Sequence, residues 1–330
     1  MKNRRMKPVI GFSILVIVLL ATCLYAMATG SLRLGPGQVL RGLFVAYDKQ
    51  VATVYDLRFP RIVIAMLAGA ALSVAGALLQ AVLKNPLADP GIIGISGGAG
   101  LFGSFLTALF PSLFFWSPLF SCLGGMVGFL LVYALSGSNG HQPTRMILVG
   151  IAVAALFSGL TEGLGYWKTF ISGGSISTNL ANMAMKTWSD VWILLCYVPI
   201  GLLLAFAASK ACNLLALEEK TIRSLGIPLE KLRLCLSMMA VVLASVATAI
   251  VGVVSFLALI VPHIGRQLVG NDHRILLPFT ALLGAFVFLA FDTLGRTIMA
   301  PVEVPAQLLM AIIGGPLFIW MLRRGDKQYE

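Results

Sequence analysis

Two carboxylates and two histidines are the residues whose types and positions could do chemistry in apolar surroundings. Glu162 and Asp292 lie in long apolar runs, and His263 and His273 stand ten positions apart. Ionisable groups in such runs are costly and often functional. A metal site would need further His, Cys or acidic ligands at ligand spacing, and the sequence offers none. We therefore predict neither a metal site nor a catalytic cluster, while Glu162 could line a pathway or support a helix contact.

A second candidate is the stretch from Gln80 to Gly100, QAVLKNPLADPGIIGISGGAG. Its glycines could cradle a phosphate, but no Gly-Lys-Ser/Thr follows here or elsewhere in the chain. Pro86, Pro90 and the glycines instead break helices, which predicts a tight polar turn and then a small-residue helix start. The chain is therefore expected to hydrolyse no ATP itself, to be no enzyme and to need no cofactor.

The elements that must position these residues are long and apolar. Of the 330 residues, 58% are hydrophobic and 11% charged, against about 25% charged in a soluble domain. Apolar runs of about 20 residues, enough to cross a membrane, recur along the whole chain. We predict an all-α polytopic membrane protein, with residues 1–330 as a single transmembrane domain. The net charge of +11 does not indicate nucleic-acid binding. In a membrane protein, the positions of basic residues reflect which side of the membrane each loop faces.

We predict about ten transmembrane helices, with both termini cytoplasmic and an uncleaved first span. The run from Leu232 to Val261 is too long for one helix without a break. Ten spans place most of the 24 Lys and Arg residues inside, whereas nine place most of them outside. The positive-inside rule therefore favours ten. The predicted spans are 9–29, 62–83, 92–111, 117–135, 146–167, 191–209, 232–252, 254–266, 275–298 and 305–322.

Basic residues on the expected outer side depart from this charge rule. Arg58 and Arg61 flank Pro60 at the predicted mouth of the second span, and Arg296 lies four residues after Asp292. The planar guanidinium group binds carboxylates through two hydrogen bonds, so these arginines could dock an acidic partner. Contacts with lipid headgroups would also explain them. Arg296 could instead pair with Asp292 at i,i+4.

The largest predicted cytoplasmic segment, Lys210 to Arg233, contains a short amphipathic helix. Glu218, Glu219 and Arg223 have helical spacing, and the Gly226-Ile227-Pro228 sequence ends that helix. Such a helix is either an ordinary solvated element or a docking surface for a soluble partner. Its composition alone allows both.

These motifs together resemble one family, the permease subunits of ATP-binding-cassette importers for ferric siderophores, haem and cobalamin. The family's Asn-Pro-Leu-Ala-Asp/Glu-Pro and Gly-Ile-Ser patterns match Asn85–Pro90 and Gly94–Ser96. Its Leu-Ile-Val-Pro-His-Ile-x-Arg pattern matches Leu259–Arg266, although Ala258 replaces a usual glycine upstream. The residues of the family-motif turn are Gln80, Asn85, Pro86, Asp89, Pro90 and Gly94.

The resemblance implies the same ten spans, with spans two to five repeated in inverted orientation as seven to ten. It implies docking of a binding protein at Arg58, Arg61 and Arg296, and an outer gate that includes Gly173–Ser177. The expected partners are a second permease (a copy or a paralogue), two cytoplasmic ATPase subunits and an extracytoplasmic substrate-binding protein, in the cytoplasmic membrane of a prokaryote. The residues expected to contact the ATPase are Glu218, Glu219, Arg223, Ser224, Leu225 and Gly226.

The expected cargo is a ferric siderophore, the commonest substrate of that family, moved by alternating access. Cobalamin and haem are alternatives within the same family. A proton-coupled secondary carrier is a further alternative, but it would lack the docking helix at 210–233 and would need carboxylates near the membrane midplane. That segment therefore favours an importer permease.

Overall fold

The computed structural model describes residues 2–29, 49–136, 143–172, 183–300 and 302–326. This part of the chain is helical without any strand, as predicted, and includes short 3-10 turns at Pro111–Trp116 and Met183–Met185. The expected gate residues Gly173–Ser177 lie outside the described residues. The α-helices are α1 (Lys2–Ala28), α2 (Lys49–Leu83), α3 (Ile95–Leu109), α4 (Ser117–Leu135), α5 (Pro143–Ser172), α6 (Trp188–Ala207), α7 (Ser209–Leu215), α8 (Glu219–Ser224), α9 (Leu229–Val251), α10 (Leu257–Val269), α11 (His273–Thr297) and α12 (Ala306–Asp326).

Among the described residues, seven helices are long and apolar enough to cross a membrane. Three shorter apolar helices, α3, α10 and α12, accompany them. Each predicted span corresponds to one of these long or short helices. The number of spans and the sidedness of the termini stay predictions, because the shorter helices do not meet the length of a full span.

Helix α2 differs most from the sequence prediction, since it begins at Lys49 rather than near residue 62. Pro60 lies inside it, so Arg58 and Arg61 project from a continuous helix and do not flank its mouth. A helix of 35 residues is about 52 Å long at 1.5 Å per residue. This length exceeds the roughly 30 Å hydrocarbon core, so α2 extends beyond the membrane on at least one side.

Two of the short helices begin at residues with left-handed backbone conformation. Gly94 precedes α3 with φ +82°, and Phe256 precedes α10 with φ +66°. The apolar run from Leu232 to Val261 is thus divided between α9 and α10, as the sequence predicted. Helices α3 and α10 occupy the third and eighth predicted spans, which an inverted repeat would superpose. The repeat itself stays a prediction.

The core of the bundle is the antiparallel pair of α2 and α11. Gly69 faces Gly284, and Arg61 faces Asp292. Helix α2 is the most buried of the long helices, and α1 lies along α11 with Phe12 and Phe279 in edge-to-face contact at 5.2 Å. Polar contacts gather at the two opposite ends of this pair, near Arg61 at one end and near Lys84 and Asp272 at the other.

Candidate functional site

Five charged residues gather at one end of the α2/α11 pair, and we call them the Arg61 cluster: Arg58, Arg61, Asp292, Arg296 and Glu303. Nε and Nη2 of Arg61 donate to the two carboxylate oxygens of Asp292, each at 2.9 Å. Nη1 of Arg61 donates to Oε2 of Glu303 at 2.7 Å. Asp292 is fully buried, whereas Glu303 is partly exposed. A two-bond arginine–carboxylate pair of this kind is strong and fixes the orientation of both side chains.

The other two arginines of the cluster hold the end of α1. Nη1 of Arg58 donates to the carbonyl of Met27 at 2.7 Å, and Nη2 of Arg296 donates to the carbonyl of Ala26 at 3.3 Å. Carbonyls in the last turn of a helix have no partner within that helix. The two guanidinium groups therefore donate to carbonyls that have no partner within α1, and they join α1 to α2 and α11.

The three arginines predicted to dock a partner are buried in this structure. Their exposed fractions are 8% for Arg58, 6% for Arg61 and 7% for Arg296. The pairing of Arg296 with Asp292 at i,i+4 is present, with 3.5 Å between Nε and Oδ2. The docking role stays a prediction. Replacing Arg58 and Arg61 with Glu would place acids beside Asp292, so loss of uptake in that variant would not separate docking from misfolding.

The predicted turn occupies residues 84–94, between α2 and α3. Oδ1 of Asn85 accepts from the Leu87 N–H at 2.8 Å, and Oδ1 of Asp89 accepts from the Gly91 N–H at 2.7 Å. Such local side-chain bonds stabilise turns. On the last turn of α2, Nε2 of Gln80 donates to the carbonyls of Ala258 and Leu259 at 3.4 Å each. The family-motif residues therefore shape the turn and join α2 to the start of α10.

The second half of this turn is buried. Pro90 is buried and its carbonyl accepts from the Ser96 N–H at 3.1 Å, whereas Pro86 is exposed. Burial raises the pKa of the Asp89 carboxyl to about 6, against the lowering effect of the Gly91 and Ile92 N–H groups. Gly94 has φ +82°, and a Cβ at this position would lie 3.1 Å from Val153 Cγ1. The turn thus requires glycine here for both its backbone conformation and its packing.

The 209–228 segment lies at the opposite end of α2 from the Arg61 cluster and contains α7 and α8. Helix α8 ends with the Gly226 N–H bonded to the Arg223 carbonyl and the Ile227 N–H bonded to the Ile222 carbonyl. With φ +73° at Gly226, this is a Schellman ending, as the Gly226-Ile227-Pro228 sequence indicated. The six residues predicted to contact an ATPase are all exposed: Glu218, Glu219, Arg223, Ser224, Leu225 and Gly226.

Comparison with known proteins identifies the family. A model described as the FecCD transport family matches residues 17–324. The chain belongs to the FecCD transport family. It is 38% identical over 316 residues to the probable heme-iron transport system permease protein IsdF of Staphylococcus aureus (strain MSSA476), covering 96% of each chain. The FecCD chain is thus the permease subunit of an ATP-binding-cassette importer, and separate subunits hydrolyse ATP.

Solved structures agree with this membership. A metal-chelate type ABC transporter in an inward-facing conformation matches with a TM-score of 0.78 at 28% identity, covering 96% of this FecCD chain and 99% of that chain. PsaBC from Streptococcus pneumoniae, in complex with Fab, matches with a TM-score of 0.54 at 16% identity, covering 86% and 94%. The second likeness concerns the fold alone.

Two contacts of the FecCD chain were not found by sequence reasoning. Glu303 lies in the connection between α11 and α12 and accepts a hydrogen bond from Arg61. An acidic residue near the predicted outer arginines was the sequence signal that could have indicated this contact. Asn213 on α7 bonds to Asp272 and His273, whose positions are 59 and 60 residues further along the chain. No local pattern indicates that contact, because it depends on how α7 packs against α11.

Glu162 lies on the exposed side of α5. This helix packs through Val153 and Phe157, while a Cβ added at Gly159 or Gly163 would meet nothing within 4 Å. Glu162 makes no hydrogen bond or ion pair with any of the described residues. Both predicted roles, lining a pathway and supporting a contact with another helix, remain compatible with this position.

Proposed function

We propose that this permease carries iron in an organic chelate, either a ferric siderophore or haem, across the cytoplasmic membrane of a prokaryote. The observation that carries the proposal is the likeness to a heme-iron permease over 96% of both chains. The likeness to a metal-chelate type transporter supports the same cargo class. Cobalamin is the alternative within the family.

We propose that the transport pathway lies between this chain and a second permease, either a copy or a paralogue. Two ATPase subunits would bind the cytoplasmic side, and a substrate-binding protein would deliver cargo from the other side. The proposed ATPase contact is α8 with its flanking residues. Leu225 is 59% exposed there, and an exposed apolar side chain beside Glu218, Glu219 and Arg223 suits a protein partner. ATP-driven movement of this surface would switch the pathway between its two sides.

The proposal is tested by uptake of radiolabelled iron in cells with and without this gene. Iron is presented as haem and, separately, as a ferric hydroxamate. We expect the deletion to abolish uptake of one chelate class and the restored gene to recover it. Uptake should also stop when ATP is depleted, yet persist when the proton gradient alone is collapsed. Unchanged uptake of both chelates would contradict an iron cargo, and labelled cobalamin would then be measured.

Glu303→Gln is expected to strengthen docking of the binding protein. Glu303 is partly exposed and accepts a hydrogen bond from Nη1 of Arg61. A carboxylate of a docked partner would have to compete with it, and a neutral glutamine oxygen would compete less strongly for Nη1 of Arg61. We expect a Kd roughly threefold to fivefold lower, the scale of an exposed ion pair. The assembled permease–ATPase complex would be titrated with binding protein in lipid nanodiscs.

The matched control for this titration is Glu230→Gln, which removes an acid next to Arg233 at the opposite end of the bundle. Its affinity for the binding protein should equal that of the unmodified complex. If Glu303→Gln leaves the Kd unchanged or raises it, Arg61 does not dock a carboxylate of the binding protein.

A further inference from the structure

Asn213 makes three polar contacts between α7 and the start of α11, which we call the Asn213 link. Its Nδ2 donates to Oδ1 of Asp272 at 2.6 Å, and its Oδ1 accepts from the backbone N–H of His273 at 2.9 Å. The same oxygen lies 2.8 Å from Nδ1 of His273, so that nitrogen carries the imidazole proton. Asp272 in turn accepts from the Arg274 N–H and thereby caps α11. One side chain of α7 thus holds the first turn of α11.

The two short helices of the 209–228 segment differ in how firmly they are held. Helix α7 buries Ser209, Cys212 and Leu215. Helix α8 buries only Ile222 and borders a cavity of about 110 Å³ that Glu219 and Arg233 help to line. The firm connection of this segment to α11 therefore runs through α7, whereas most of α8 is exposed at the surface.

Helix α11 reaches from the Asn213 link to the Arg61 cluster. From His273 to Asp292 the helix rises about 28 Å at 1.5 Å per residue. Its far end is bonded to α2 through Asp292 and Arg61, and its middle touches the α2 backbone at Gly69 and Gly284. A displacement of the first turn of α11 would therefore be carried along a packed helix to the opposite end of the bundle.

We propose that Asn213 is a positioning residue that makes α7 and α11 move together, so that movement of α8 by the ATPase reaches the Arg61 cluster. This inference rests on the proposed function, in which α8 is the ATPase contact. In this proposal the link is a positioning contact and not part of a cargo or nucleotide site. Its loss is expected to separate ATP hydrolysis from transport rather than to abolish hydrolysis.

Asn213→Asp tests the link with almost no change in shape. The new carboxylate still accepts from His273, but it faces the Asp272 carboxylate and repels it. We expect the assembled importer in proteoliposomes to hydrolyse ATP within about twofold of the unmodified rate, with cargo moved per ATP about tenfold lower, a typical coupling magnitude. Haem and a ferric hydroxamate with radiolabelled iron are the two cargo probes.

The double variant Asn213→Asp with Asp272→Asn exchanges donor and acceptor across the link. Oδ1 of Asp272 accepts from both Nδ2 of Asn213 and the Arg274 N–H. The new amide at position 272 must therefore turn to donate to the new carboxylate at position 213 while its oxygen caps α11. We expect this exchange to remove the charge repulsion and to restore part of the cargo moved per ATP, which a general packing defect would not allow. The charge control is Asn271→Asp, an exposed neighbour of the link, which should behave as the unmodified importer.

Assembly of each variant is measured by size-exclusion chromatography and thermal melting. If Asn213→Asp does not assemble, Asn213→Leu removes all three contacts without adding charge and is measured in the same way. Unchanged cargo per ATP in the assembled Asn213→Asp or Asn213→Leu variant overturns the inference. Failure of the unmodified importer to move either chelate would instead contradict the proposed iron cargo and leave the link to be assayed with labelled cobalamin.

Discussion

Asp292→Asn is expected to destabilise the protein by about 3–5 kcal/mol, the usual cost of removing one partner of a buried ion pair. Asp292 is fully buried and takes two hydrogen bonds from Arg61, which is itself 6% exposed. Among the described residues, the neutral amide would leave the partly exposed Glu303 as the one charged partner of the Arg61 guanidinium. Arg296 would lose its carboxylate as well. The α1, α2 and α11 helices meet at this point, so their packing should loosen together.

This expectation is checked by thermal and denaturant unfolding of the purified protein in one detergent. Glu303→Gln is the matched control, because it removes the partly exposed acid of the same cluster and should cost about 1 kcal/mol or less. Replacing both Arg61 with Met and Asp292 with Leu should recover only the part of the loss that comes from the unpaired Arg61 guanidinium, because Arg296 and Glu303 would still lose their charged partners. An Asp292→Asn protein as stable as the original would show that the buried pair contributes little.

The Arg61 cluster also shows which contacts a sequence can and cannot indicate. The pairing of Asp292 with Arg296 was available from the sequence because i,i+4 residues share one helix face. The stronger pairing of Asp292 with Arg61 joins residues 231 positions apart and depends on the packing of α2 against α11. Local sequence patterns carry no information about contacts between residues so far apart along the chain. The docking role of Arg58, Arg61 and Arg296 stays a prediction, and the burial of all three side chains could not be read from the sequence.

Helix positions followed from the sequence wherever backbone chemistry determined them. Hydropathy located the long helices, and Gly226 marked the end of α8 because a left-handed residue closes its last turn. The start of α2 was missed because Pro60 removes only one backbone donor, which a long apolar helix tolerates. Likewise, Phe256 before α10 has a left-handed conformation that its residue type does not indicate.

Gly284→Ala is expected to destabilise the α2/α11 pair by about 3 kcal/mol, at the upper end of overpacking costs. An added Cβ would overlap the Gly69 carbonyl oxygen and the Ser73 side chain. A backbone carbonyl inside a packed helix cannot move aside as a flexible side chain can. Gly69→Ala should act in the same way, because its Cβ would meet the Gly284 carbonyl and lie 2.9 Å from Phe288 Cβ. Unfolding of both purified variants measures the effect.

Gly159→Ala is the control that separates this contact from the general effect of alanine in a helix. It lies inside α5 and an added Cβ meets nothing within 4 Å, so alanine should be neutral or stabilise by up to about 1 kcal/mol through helix propensity. Opposite outcomes at Gly284 and Gly159 would establish that α2 and α11 require backbone contact. If Gly284→Ala were as stable as Gly159→Ala, the two helices would have room to separate, and α11 could not carry movement between the two ends of the bundle as a packed element.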